Sequence, residues 1–250
     1  MILGINGIIA SSSFDPSYQA ILQYAKDIST LPSASQQFKQ NKMLVDLKAA
    51  GIWDKLDTFG VFATDGNSNY ALIDWKRLVT YTGIPTLTFT TNQGFTGNGT
   101  SAYIDLNYNG ATQRVNYADD SAHQMVWVRN ITPSSPIATS NFASTRSNIQ
   151  KTSSGNNGIN SSNATTLNAT SSVGFIMYSR NSSLGYNQYN NNTLLASPLQ
   201  TRNQTGGAAA LLRSNTSYSA NQISIQSLGA DLSSLASTYY TILNTYMTSL

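Results

Sequence analysis

The chain has 250 residues, of which 40% are hydrophobic and only 10% charged, with 14 Lys and Arg against 11 acids, all of them Asp. That charge content is far below the roughly 25% of an ordinary soluble protein, and Asn, Ser, Thr and Gln fill the gap. The basic residues are scattered rather than clustered, which argues against a nucleic-acid footprint. The absence of Cys removes disulfides, thiolate chemistry and Cys-ligated zinc.

The opening "MILGINGIIASSSF" is apolar but lacks the basic n-region of a signal peptide. A short strand is expected within residues 2–13, and no run reaches the length of a membrane span. Asp15 followed by Pro16 is a helix start: the carboxylate caps, and proline loses no hydrogen bond at the first helical position. Tyr18, Ile21, Leu22 and Ala25 give that helix an apolar face. Ser33 caps a second helix through "SASQQFKQNKMLVDLKAAG", with Phe38, Leu44, Leu47 and Ala50 near one face and Gly51 at the left-handed exit. Trp53, Leu56 and Phe59 are spaced for one further helical turn, and "GVFAT" then reads as a strand. Residues 1–84 are therefore expected to form a helical lead-in or attachment region.

From Thr86 the period changes to two. "TLTFTT", "SAYIDLNYN", "HQMVWVRNI", "SVGFIMYSR", "NTLLASPL", "AAALLRSN" and "NQISIQSL" are alternating runs separated by Asn, Gly and Ser turns. They predict an antiparallel β-sandwich over residues 85–250, with residues 150–172 as a polar loop able to hide strand edges. Asp231 can cap a terminal helix whose stripe is Leu232, Leu235, Tyr239, Ile242, Tyr246 and Leu250. "GFTGNG" lacks the Lys and Ser/Thr of a phosphate loop and precedes a strand, so Gly94, Gly97 and Gly99 are read as turn residues. The alternative is a backbone loop facing a ligand.

The blocks "LKAAGIWDKLDTFGVFATD", "LTFTTNQGFTGNGTSAYIDLNYN", "GFIMYSRN" and "ISIQSLGADLSSLASTYYTILNTYMTSL" occur in that order. Their arrangement resembles phage and prophage virion proteins with a concanavalin A-like (LamG-like) jelly-roll domain. The resemblance spans roughly residues 43–250, close in the first and last blocks and loose between 110 and 170. It implies a mainly β jelly roll in a virion, as a tail, fibre, spike or head-decorating component. Contact with other virion proteins and a homo-oligomer follow from it, fibres and spikes of such families often being trimers. Gly51, Trp53, Leu56, Phe59, Gly94, Gly97 and Gly99 fall on scaffold tasks. The expected function is structural, with a receptor-binding lectin-like module contacting host polysaccharide as the alternative.

No hydrolase is expected. Retaining glycosidases of such folds pair two carboxyls about 5 Å apart, and there is no Glu; Asp105, the acid inside a clear β run, reads as a polar residue on the solvent face. His123, the single His, reads as structural, without a nucleophile elbow to support a triad. No cofactor is expected, although Asn116, Asp119 and Asp120 offer the oxygen ligands calcium prefers. The best raw material for sugar contact is "SLGYNQYNNNT". There Tyr186 and Tyr189 can stack on sugar faces while Asn187 and Asn190 donate and accept hydrogen bonds.

Overall fold

The computed structural model describes residues 14–84, 87–131, 136–139, 146–150, 157–161, 173–203 and 207–250. The strand expected within 2–13 and most of the loop expected at 150–172 lie outside them. Four α-helices are present: α1 (Pro16–Ala25), α2 (Ala34–Ala49), the short α3 (Ser68–Ala71) and α4 (Ala236–Thr248). Asp15 accepts from Ser17 N at 2.8 Å and Ser33 from Gln36 N at 3.2 Å, so both helices start on their side-chain caps. Gly51, at φ 67°, takes the left-handed exit from α2.

The strands, in chain order, are β1 (Leu56–Val61), β2 (Ile73–Asp74), β3 (Val79–Thr80), β4 (Thr82–Gly83), β5 (Thr88–Thr90) and β6 (Gly94–Thr96). Next come β7 (Ile104–Asn109), β8 (Ala122–Asn130), β9 (Pro136–Thr139), β10 (Arg146–Gln150), β11 (Gly158–Ser161) and β12 (Gly174–Arg180). The last are β13 (Asn187–Asn190), β14 (Thr193–Ala196), β15 (Ala208–Leu211), β16 (Arg213–Ser214), β17 (Ser217–Tyr218) and β18 (Gln222–Gly229). One sheet runs β14-β13-β12-β8-β18-β1-β2-β3, with β6 also on β18 and β5 on β6. The other runs β11-β10-β9-β15-β7-β4, and every pairing is antiparallel. The molecule is a mainly β jelly-roll sandwich with a terminal helix, as the alternating runs predict.

Three layers result. Along β8 the side chains alternate: Val126 and Val128 join Ile176, Tyr178 and Ile223 between the two sheets. Met125 and Trp127 face the other way and join Phe175, Met177 and Ile225 beneath the helices. The helical layer buries Leu44, Leu47, Tyr239 and Tyr246 on that second face. A polar knot sits inside it. Gln40 Oε1 accepts from Tyr18 OH (2.7 Å) and Tyr70 OH (2.8 Å), and Gln36 Nε2 donates to Tyr246 OH (2.8 Å).

Three expectations are corrected here. Residues 56–83 are not part of a helical lead-in: β1 pairs with β18 and β2, and β4 pairs with β7, so both sheets draw on them. The helical turn after α2 covers only Trp53–Lys55, because Leu56 and Phe59 sit in β1. That strand is buried at every position, so it has no alternation to betray it. Phe38 is 57% exposed, and its neighbours Gln36 and Gln40 are buried instead because they serve the polar knot.

Candidate functional site

The glycine turn brings two distant tyrosines together at the surface. Gly94 has φ 100°, and a Cβ there would lie 2.1 Å from Ile223 O; one on Gly97 would lie 2.1 Å from Ser219 O. Only glycine lets this segment lie against the backbone leading into β18. Gly99, at φ 77°, then turns the chain, and Asn98 Oδ1 accepts from the amides of Thr100, Ser101 and Ala102 at 2.9–3.0 Å. Tyr103 follows, half-buried, beside the β16–β17 hairpin.

In that hairpin Arg213 pairs with Tyr218 across the strands. The Arg213 guanidinium lies 4.5 Å from the Tyr103 ring centre and 5.7 Å from that of Tyr218. The two rings are 6.1 Å apart, inclined at 47°. Arg213 Nε donates to Asn215 O at 2.9 Å, which fixes the guanidinium between them. Exposed Asn98, Thr100, Ser101, Asn215, Thr216 and Ser217 surround the pair with neutral donors and acceptors. The surface therefore offers aromatic stacking and hydrogen bonding. Arg213 and Tyr218 escaped the sequence reading because strands of two residues carry no period; their only signal is the turn-forming "SNTS" between them.

The hairpin at Tyr186–Asn190 is not such a surface. Tyr186 is 2% exposed, lies between the sheets beside Tyr178 and Arg180, and donates to Asn157 O at 3.3 Å. Asn190 is buried, and its amide donates to Phe175 O at 3.0 Å. Tyr189 points to the helical face, where its hydroxyl donates to Ser233 O; Asn187 bonds Tyr189 and Ser197. The rings expected to meet a sugar are internal, because hydrogen-bonded neutral amides can be buried.

The oxygen-rich trio is also engaged. Asp119 accepts from Arg114 (2.6 Å) and lies 3.6 Å from Arg202. Asn116 donates through its backbone to Asp57 and through its amide to Leu56 O. Among the described residues no group of three His or Asp side chains is arranged to hold a metal. Two arginines already compensate the Asp119 carboxylate, which is the wrong setting for a cation.

Two buried groups hold the frame around these loops. Asp57 accepts from Tyr108 OH (2.8 Å) and from the amides of Val115, Asn116 and Tyr117 (2.7–3.1 Å), pinning the loop before β8. His123 is fully buried. Its Nδ1 donates to Ala230 O at 2.6 Å, so its Nε2 accepts from Ser227 Oγ at 2.9 Å, and Ser227 Oγ in turn accepts from Tyr239 OH at 2.9 Å. Burial pushes the imidazole down to about 4 from 6.5.

No protein-family model and no curated protein matches the chain. Solved structures do match, and the likeness defines a class, the antiparallel β-sandwich. Domain 4 of AbnA, a GH43 extracellular arabinanase from Geobacillus stearothermophilus solved in complex with arabinotriose, aligns at a TM-score of 0.50 and 15% identity. That alignment covers 74% of this chain and 98% of the domain. A mutant Trypanosoma rangeli sialidase displaying trans-sialidase activity aligns at 0.53 and 11%, over 92% of this chain but 38% of the sialidase. The botulinum neurotoxin serotype D binding domain aligns at 0.50 and 13%, over 80% of this chain and 52% of that one. At such identities the likeness is one of fold.

Proposed function

We propose that this protein is a non-catalytic recognition module of a virion, which holds a glycan on the surface formed by Tyr103, Arg213 and Tyr218. The observation that carries the reading is the pair of half-buried tyrosine rings, 6.1 Å apart and set around a guanidinium, at a turn fringed by exposed amides and hydroxyls. Rings fixed in this way lose little entropy when a sugar face stacks on them. The fold is compatible, since a domain of nearly the same extent was solved with arabinotriose. The virion setting rests on the resemblance of "GFTGNGTSAYI" and the closing "SLGADLSSLASTYYTILNTY" to phage proteins.

Affinity electrophoresis against arabinan and bacterial capsule and cell-wall polysaccharides tests the glycan reading. Saturable retention that falls at least about tenfold in Tyr103→Ala and Tyr218→Ala is expected. Retention that both variants leave unchanged, or none on any polysaccharide, refutes it. Release of reducing ends that vanishes in Asp105→Asn would refute the non-catalytic part. A second reading, a purely structural virion part, is favoured by the exposed leucines of one sheet edge.

A further inference from the structure

The large sheet ends on β14, and this end is unlike the other. At the far end, Thr80 of β3 is held by Tyr24 of α1, whose hydroxyl lies 3.3 Å from Thr80 Oγ1, and charged Arg77 stands close by. At the β14 end there is no such cover. Among the described residues ten large hydrophobic side chains are exposed, and four of them are here: Leu184 (65%), Leu194 (52%), Leu195 (44%) and Leu199 (86%). The bridge between Gly185 and Leu199 and the pairing of β14 with β13 place all four along one edge. No charged residue occurs between Arg180 and Arg202. Proteins ordinarily protect an open edge with Lys or another charge.

We propose that this edge is where two copies of the chain associate, β14 against β14 about a two-fold axis. The absence of charge decides for a second copy. A like surface meets no repulsion, and the edge offers nothing with which to select a charged partner. An edge strand laid antiparallel against itself is also isologous, so each leucine meets the same row on the other copy. The contact is made mainly by side chains. Tyr189 pairs with Leu194 and Gln188 with Ala196, which leaves Leu195 as a bulge, and Pro198 follows, so a continuous backbone ladder cannot form. The proposal does not depend on the glycan reading.

The cysteine-free chain permits a direct test. Leu194→Cys is oxidised beside Val115→Cys, the latter at an 84% exposed site elsewhere on the surface. Leu194→Cys is expected to give a covalent dimer under conditions where Val115→Cys stays monomeric. By sedimentation equilibrium the unaltered protein is expected to dimerise, and Leu194→Lys with Leu199→Lys to weaken that dimer at least about tenfold. Both leucines are exposed, so circular dichroism should show the variants folded. Equal crosslinking at both sites overturns the proposal. So does a strict monomer at about 100 µM, a trimer, a dimer indifferent to the lysines, or a different protein seated on this edge of a monomeric chain.

Discussion

His123 makes the stability of this protein fall on mild acidification. In the unfolded chain the imidazole binds a proton near pH 6.5; in the native fold it does so only at about 4, because it is buried and Nε2 accepts from Ser227. The native state therefore binds fewer protons throughout that window. The stabilisation is complete above pH 6.5 and is lost as the pH falls towards 4. At 1.36 kcal/mol per unit the whole window is worth about 3 kcal/mol, of which about 2 kcal/mol is lost between pH 7 and pH 5. Urea unfolding followed by tryptophan fluorescence at pH 7, 6 and 5 measures this, with His123→Gln as the reference. The variant loses stability at every pH but should lack that part of the slope. The single imidazole also gives one unambiguous NMR titration. A native midpoint above pH 6, or an equal pH 7 to pH 5 loss in His123→Gln, would refute the reasoning.

Trp53 is 6% exposed, edge-on to Phe59 at 6.0 Å and under the Lys76 ammonium at 4.7 Å; Trp53→Ala should cost roughly 3–5 kcal/mol by denaturant titration. A loss below about 1 kcal/mol would contradict its place in the core. Gly94→Ala would drive a Cβ to 2.1 Å from Ile223 O at φ 100°, so a loss of about 2 kcal/mol or more is expected, read as a lowered melting temperature. Asp57→Ala would strand Tyr108 OH and three amides, each costing about 1–3 kcal/mol when buried and unpaired, and hydrogen exchange at residues 115–117 should rise with the loss of stability.

The long strands were legible because one face of each meets a core and the other meets something different: in β8 and β12 both faces are buried, yet the alternation still sorts Val126 from Trp127 and Ile176 from Phe175. The helix starts were legible because capping is local chemistry. β1 was not, since it is buried on all sides, nor were β2, β3 and β4, each two residues long. The site was harder. In a chain with so few charges, Asn and Gln no longer mark the surface, and Gln188 and Asn190 are buried beside tyrosines that read as a solvated hairpin. The half-buried tyrosine pair depends on residues more than a hundred positions apart, and no local pattern announces that meeting.

The position of β18 governs how the molecule comes together. It is bonded to β8, β1 and β6, so the middle of the large sheet is closed by a segment that emerges late from the ribosome. Its partners in β1 lie roughly 170 residues earlier in the chain, and such long-range pairings slow folding. Until β18 arrives, β1 and β8 have their apolar flanks uncovered, and Phe59, Val61 and Val126 are open to mispairing. A nascent chain of this design depends on delayed collapse or on chaperone shelter, and its yield in a cell should track translation speed and temperature more closely than the stability of the finished fold.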